Sequence, residues 1–337
     1  MKVWSLFILA ASCAFLFTGI FRRYAIARNL LDIPNKRSSH QIPTPHGGGV
    51  AIVLVFLIGL LFLWYADVVS TKLFLALEGA GGWIALIGFW DDHVSISVKW
   101  RLVAHFLGAA WVLAWLGGLP PLPVLGVIVD LGWFGHLLTA FYLVWLLNLY
   151  NFMDGIDGIA GIEAITVCLA GGAFYWISSA ASSEWQALLL LFVAVCGFLP
   201  WNFPVARIFM GDVGSGFLGM ILGVFSLHAA WVRPELFWSW IILLGAFVVD
   251  ATVTLIGRIL CGEHISEAHC GHTYQYAARK YGSHIPVSLS LCAINIFFLV
   301  PVAWLVAVEK LDGIIGVGIA YVPLVAVVLC FKTESGK

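Results

Sequence analysis

Long uninterrupted apolar runs make up most of this chain, and nearly all the acidic and histidine-rich clusters fall between them. An α-helix needs about 20 apolar residues to cross a bilayer core. Runs of that order lie at 3–21, 49–66, 72–90, 102–118, 133–150, 160–180, 185–201, 214–231, 237–257, 285–308 and 312–331. They are continuous and do not alternate with a period of two, so they predict helices and not a β-barrel. The pattern predicts an all-α polytopic membrane protein with about 11 transmembrane helices. The 72–90 run carries Glu78 and a GAGG stretch. The 119–132 connection is apolar, but Pro120, Pro121 and Pro123 argue against a helix there. The apolar start could be taken for a signal peptide ending in AASCA. Arg22, Arg23 and Arg28 follow at once, which favours a retained first span.

The positions of the basic residues add an orientation. Alternate loops hold Arg22, Arg23, Arg28, Lys36, Arg37, Lys99, Arg101, Arg207, Arg258, Arg279, Lys280, Lys332 and Lys337. The other loops hold only Lys2, Lys72, Arg233 and Lys310. The first set is expected on the cytoplasmic side, with the N-terminus periplasmic and the C-terminus cytoplasmic. Composition agrees with a membrane protein: 62% of the 337 residues are hydrophobic and 10% charged, against about 25% charged in soluble proteins. Mean hydropathy is +1.00. No long polar segment could fold as a second core, so 1–337 reads as one membrane domain. A net charge of −1 gives no basic field for nucleic acid, and the seven cysteines form no CxxC pair or disulfide framework.

The predicted cytoplasmic loops also collect the candidate chemistry. They are 32–49 (DIPNKRSSHQIPTPHGGG), 91–101 (DDHVSISVKWR), 151–158 (NFMDGIDG), 202–216 (containing RIFMGDVGSG) and 258–284. The opposite loops are short and bland. Asp91 and Asp92 end the third run; a carboxylate opposes the dipole at a helix C-terminus, so it is a poor generic stop signal. Asp154 and Asp157 have the spacing of one helix face, which Asn148 and Asn151 extend back into the span. Gly155, Gly158 and Gly161 keep the adjoining face small. Helix-packing glue is the bland alternative for these residues. Phe209–Gly216 is a glycine-punctuated turn into a span, suited to phosphate at a helix start and to a hard cation on Asp212. Asp212 could equally be an N-cap. Cys261, His264, His269, Cys270 and His272 lack a standard zinc spacing. Beside Arg258, Arg279 and Lys280 the histidines read as donors to phosphate. Among ionisable residues inside spans, Asp250 alone is expected near the site; Glu78, His105, His136 and His228 read as interhelical hydrogen-bond partners. Carboxylates, glycine turns and basic loops at one membrane face suggest phosphate chemistry with a divalent metal. A secondary transporter is the alternative, but Glu78 is the only deep acid and no internal repeat is evident.

DDHVSISVKWR, NFMDGIDGIAG, RIFMGDVGSGFLG and the HxxH loop, in this order, resemble the polyprenyl-phosphate N-acetylhexosamine-1-phosphate transferases, the MraY and WecA enzymes of glycosyltransferase family 4. The resemblance implies transfer of a sugar-1-phosphate from a UDP-N-acetylhexosamine to undecaprenyl phosphate, with release of UMP. It implies Mg2+, or Mn2+ in its place, held by Asp212. It places Asp91, Asp92, Asp157, His269 and His272 in the catalytic set. Asn151, Asp154, Phe209, Lys99 and Arg207 become substrate-binding, with Asp154 near the uridine and Phe209 stacked on uracil. The last loop, EAHCGHTYQYAARKYGSH, lacks the run of histidines of the peptidoglycan-precursor enzymes and looks closer to the O-antigen and lipopolysaccharide initiating branch. The implied setting is the bacterial inner membrane with the lipid bilayer, undecaprenyl phosphate and UDP-sugar as partners; homodimerisation is left open.

Overall fold

The computed structural model describes residues 3–34, 40, 42–94, 96–178, 183–262 and 271–335. The apolar runs form helices: α1 (Val3–Ala27), α2 (Gly49–Tyr65), α3 (Thr71–His93), α4 (Val98–Leu116), α5 (Gly132–Met153), α6 (Ile159–Ser178), α7 (Trp185–Asn202) and α8 (Asp212–Val232). They continue as α9 (Pro234–Leu243), α10 (Gly245–Leu260), α11 (Thr273–Tyr281), α12 (Ile285–Ile294), a π-helical turn (Asn295–Leu299), α13 (Val300–Ala307) and α14 (Gly313–Ser335). Among the described residues, eight helices, counting α12 to α13 as one, are long and apolar enough to cross a membrane. The α9–α10 pair makes a ninth if its halves are one span. The α2 helix is apolar but has only 17 residues.

The single span expected at 237–257 is broken at Leu244, where α9 and α10 meet at a 68° bend. No proline marks the break, and apolar periodicity carries no signal for it. The proline-rich connection is non-helical, as its sequence predicts. It forms a hairpin, β3 (Leu122–Val124) paired antiparallel with β4 (Val127–Val129), turning through Leu125 and Gly126 at positive φ. A second short pair, β1 (Leu31–Asp32) with β2 (Thr44–Pro45), brackets the segment before α2.

The α8 helix is the central post. In its apolar window 94% of residues are buried, against 22% for α14, which has a lipid-facing composition. It packs against α2, α3, α4, α5, α6 and α9. Close approach is made by glycine: a Cβ on Gly88 of α3 would lie 2.6 Å from the Asp212 carbonyl oxygen, and one on Gly219 would lie 2.8 Å from Leu147 Cα of α5.

Candidate active site

The site is assembled at the N-terminus of α8. Four backbone N–H groups there have no partner inside the helix and need acceptors. Asp212 does not cap its own helix; it is the first helical residue, after Gly211. The acceptor comes from α3. Asp92 Oδ1 accepts from the Asp212 N–H at 3.1 Å and Oδ2 from the Val213 N–H at 3.4 Å. Gly211 has φ +76°, and a Cβ there would lie 2.7 Å from Asp92 Oδ2, so a side chain would expel the cap. The odd placement of a carboxylate at the C-terminal end of α3 is thus explained by the positive end of another helix.

The segment before α2 is stitched to the same corner. Phe209 N–H donates to Pro45 O at 2.8 Å, Gly48 N–H to Phe209 O at 2.9 Å and Gly49 N–H to Met210 O at 2.8 Å. The triple glycine therefore serves a backbone junction. His46 is carried into the site, its Nδ1 3.6 Å from Asp92 Oδ1. That interaction outweighs partial burial and raises the His46 pKa above its ordinary value.

A cavity of about 580 Å³ opens at this corner, lined by His40, His46, Asp91, Asp92, Arg101, Asn151, Asp154, Phe209 and Asp212 among others. Arg101 Nη1 lies 2.8 Å from Asp91 Oδ2 and 3.4 Å from Asp212 Oδ2, and Asp91 Oδ1 also accepts from the Ile96 N–H at 2.7 Å. Asp91 and Asp92 are thus engaged by protein donors, with side chains 10% and 8% exposed, whereas Asp212 is 34% exposed towards the cavity. Asn151 Oδ1 accepts from Ser215 Oγ at 3.0 Å, fixing the amide beside Asp212. Burial, with the charges of Asp212, Asp92 and Asp157 behind it, pushes the Asp154 carboxyl well above the usual carboxylate range.

The expectation that Asp154 and Asp157 share a helix face is corrected. The α5 helix ends at Met153, and the chain turns through Gly158 at φ +76° before α6. Asp154 therefore faces the first cavity and Asp157 a second one of about 520 Å³. Asp157 Oδ2 accepts from the Ala206 N–H at 3.2 Å and lies 3.2 Å from His284 Nδ1. Asn148 points elsewhere, towards His105 Nδ1 at 3.3 Å. The two cavities share Phe209 and His40, whose rings meet edge to face with centroids 4.9 Å apart. Asn202 ties the walls together: it accepts from the Gly158 N–H at 2.9 Å and donates to Ile208 O at 3.0 Å.

His269 lies outside the described residues. His272 is 3% exposed and lines neither cavity, so its expected role as a phosphate donor finds no support in its placement. Asp250 explains this. Its carboxylate accepts from the Thr273 and Tyr274 N–H groups at 2.9 and 3.2 Å, capping α11, and His272 Nδ1 lies 3.8 Å from it. Lys99 and Arg207, expected to bind substrate, are exposed and line neither cavity. Arg207 instead accepts a hydrogen bond from Arg22 Nε at its backbone oxygen, at 3.0 Å.

The sequence profile of Glycosyl transferase family 4 matches residues 73–230, which include Asp91, Asp92, Asn151, Asp154, Asp157, Phe209 and Asp212. A probable undecaprenyl-phosphate N-acetylglucosaminyl 1-phosphate transferase of Bacillus subtilis is 31% identical over 281 residues, covering 80% of this chain and 75% of that one. The chain belongs to glycosyl transferase family 4. Two further relatives are named for different activities. An undecaprenyl-phosphate alpha-N-acetylglucosaminyl 1-phosphate transferase of Thermotoga maritima is 26% identical, covering 81% of each chain. A phospho-N-acetylmuramoyl-pentapeptide-transferase of Halalkalibacterium halodurans is 30% identical, covering 75% of this chain and 80% of that one. The family match begins at residue 73, so His40, His46 and the glycine junction that completes the site lie outside it.

Arg101, His46, Asn202 and His284 went unassigned in the sequence. Arg101 carries a readable signal: it falls ten residues after Asp91, at the start of α4, where one turn of chain folds it back on the carboxylates. The other three have none, because His46 meets Asp92, Asn202 meets Gly158 and His284 meets Asp157 only through the tertiary fold.

The fit of a divalent cation can be judged from the donors. Among the described residues no group of three or more histidine, cysteine or acidic side chains forms a closed cage. Mg2+ does not need one: it keeps several waters and takes one or two carboxylates plus substrate phosphate. Asp212, open to the cavity, with Asn151 and Asp154 on the same wall, fits that requirement.

Proposed function

We propose that this protein transfers an N-acetylhexosamine-1-phosphate from a UDP-sugar to undecaprenyl phosphate, giving the lipid-linked diphosphate sugar and UMP. The observation that carries the reading is the paired cavity. One half presents an open carboxylate, Asp212, at a helix N-terminus; the other adjoins it across Phe209. A nucleotide diphosphate sugar has a charged middle and an aromatic end, and the two halves match them.

In this reading Asp212 holds Mg2+, or Mn2+, which would supply charge neutralisation for the donor diphosphate. An oxygen of the acceptor phosphate attacks the donor β-phosphorus, and the bond to the α-phosphate oxygen breaks to release UMP. A phosphate monoester has a second pKa near about 6, so the acceptor already carries its nucleophilic electron pair at neutral pH. Positioning and electrostatics therefore dominate over general-base work. Arg101 offsets negative charge at Asp91 and Asp212. Asp92 keeps the α8 start in place, Asp154 and Asn151 line the donor's path, and Phe209 stacks on the base.

The loop charges support a cytoplasmic site in the bacterial inner membrane, with a periplasmic N-terminus. The lack of consecutive histidines in 258–284 supports an O-antigen or related envelope-glycan role. Glu163, buried inside α6, is an acid within a span in addition to Glu78, and the broken α9–α10 pair is a further feature a transporter would share. Its acid, Asp250, is taken up in capping α11.

The test is UMP release by the purified protein in detergent with Mg2+, undecaprenyl phosphate and a panel of UDP-N-acetylhexosamines. Acceptor-dependent UMP from one donor, lost with EDTA and restored by Mg2+ or Mn2+, is the expected result. No UMP from any donor with folded protein would sink the reading.

A further inference from the structure

One buried polar cluster is left over by the site, in the membrane-spanning part of α6. Glu163 has 0% exposure. Asn295, at 2% exposure, donates from Nδ2 to Glu163 Oε2 at 2.6 Å and to Thr166 Oγ1 at 2.8 Å. Two oxygens remain buried with no hydrogen-bond partner: Glu163 Oε1 and Asn295 Oδ1. Both are acceptors if Glu163 is ionised, and an unsatisfied buried acceptor is costly. Among the described residues no basic side chain pairs with Glu163, and a bare carboxylate inside a membrane span is costlier still.

The surroundings offer no other proton source. Tyr150 of α5 donates its hydroxyl to Ala160 O and Tyr321 of α14 to Ile241 O. Cys168 is further along α6 itself. Charged or basic groups on the helices packed against α6 sit towards helix ends: Asp212 and His228 on α8, Glu184 before α7, Glu235 on α9 and His284 before α12. The π-turn and α13 carry none.

A single proton satisfies both orphan oxygens. On Glu163 Oε1 it would make that atom a donor for Asn295 Oδ1, while Asn295 Nδ2 already donates to Oε2. The result is a closed two-bond ring of acid and amide. We infer that Glu163 is held as a neutral carboxylic acid paired head to head with Asn295, and that this pair positions α12 at the site. Asn295 opens the π-helical turn that interrupts the α12–α13 span, the kind of insertion that recurs where a helix must present one residue out of register. The same stripe of α12 carries Ser288, whose Oγ donates to Asp157 O at 2.8 Å, and His284 just before the helix starts, 3.2 Å from Asp157 Oδ2. Three polar ties thus fasten α12 to the segment that supplies Asp157 to the second cavity. Glu163 and Asn295 are positioning residues; they line neither cavity.

Two measurements test this. The first is the infrared spectrum of the lipid-embedded protein at pH 8, wild type against Glu163→Gln. The expected difference is loss of a protonated-acid carbonyl band, with an unchanged melting temperature, because glutamine and Asn295 can form the equivalent amide pair. A lost carboxylate band, or a Glu163→Gln melt as low as that of Asn295→Leu, would overturn the neutral pair. The second is donor kinetics, which rest on the transferase reading. Asn295→Leu should raise KM for the UDP-sugar at least about threefold more than it lowers kcat, while Glu163→Gln stays within about 1.5-fold of wild type. An unchanged KM in a folded Asn295→Leu protein would reduce the pair to a structural contact. If wild-type protein releases no UMP, the transferase reading fails and the infrared comparison still decides the proton.

Discussion

Substituting Asp92 separates a helix-capping carboxylate from a chemically reacting one. Asp92 accepts two N–H bonds at the start of α8 and places a negative charge at the positive end of that helix. A lost N-cap bond costs about 1 kcal/mol, and a lost charge at a helix terminus about 0.5 kcal/mol. Asparagine keeps one acceptor oxygen but turns the other position into a donor facing an N–H group. One bond and the charge are lost, about 1.5 kcal/mol, or roughly tenfold in rate if the whole amount is felt in the transition state. Alanine loses both bonds and the charge, about 2.5 kcal/mol, or roughly 70-fold. Had Asp92 been the attacking group of a covalent route, both variants would fall together by more than about 1,000-fold. The assay is UMP release at saturating Mg2+ and acceptor, beside a thermal melt of each variant. Asn and Ala variants that are equally dead at equal melting temperature would refute the capping account.

Other outcomes follow from the same geometry. Asp154→Asn should cut turnover at least about tenfold while membrane insertion, read by detergent extraction and gel filtration, stays intact. Phe209→Ala should raise KM for the UDP-sugar by about 5- to 150-fold, the range set by base–aromatic stacking of about 1–3 kcal/mol, and an unchanged KM would move the base out of the Phe209 wall. His46 has a raised pKa in the folded state, so its contribution to stability is complete below the unfolded value of about 6.5 and is lost as pH rises through the folded value. Wild type should therefore lose melting temperature between about pH 6 and pH 8.5 by more than His46→Gln does; equal losses would show that the Asp92 contact is not felt.

The helices were legible because apolar length is a strong signal in a chain that spans a membrane. So was the absence of a helix at 119–132, because three prolines spoil an apolar run; the hairpin formed there was not. The 68° bend at Leu244 and the π-turn at Asn295 were not. Gly245 follows the first break and Pro301 the second, but a lone glycine or proline inside an apolar run does not say whether the helix bends or continues; what packs alongside decides it. At the site the acidic motifs could be read as a group, yet their division of labour could not. The sequence offers Asp212 as the cap of α8 or a cation ligand and Asp92 as a reacting group. Only the approach of α3 to the start of α8 makes Asp92 the cap and leaves Asp212 open. His272 looked like a ligand because histidine in a polar loop has few other signals; Asp250, one helix away, is what draws it inward.

The burial of α8 has a consequence for how the protein is made. Its central helix is delivered to the membrane only after the chain up to residue 211 has been synthesised. Until then Asp92 has no helix terminus to receive and Arg101 has one carboxylate in place of two. The glycine junction before α2 has no Phe209–Met210 segment to stitch to. The first seven helices also pack on one another, α1 and α6 on α7 and α3 on α4, so what waits for α8 is the site corner and not the whole bundle. Chain interruptions before residue 212 should therefore yield an inserted membrane protein that lacks the site, because Asp92, Arg101 and the glycine junction are left without their α8-side partners.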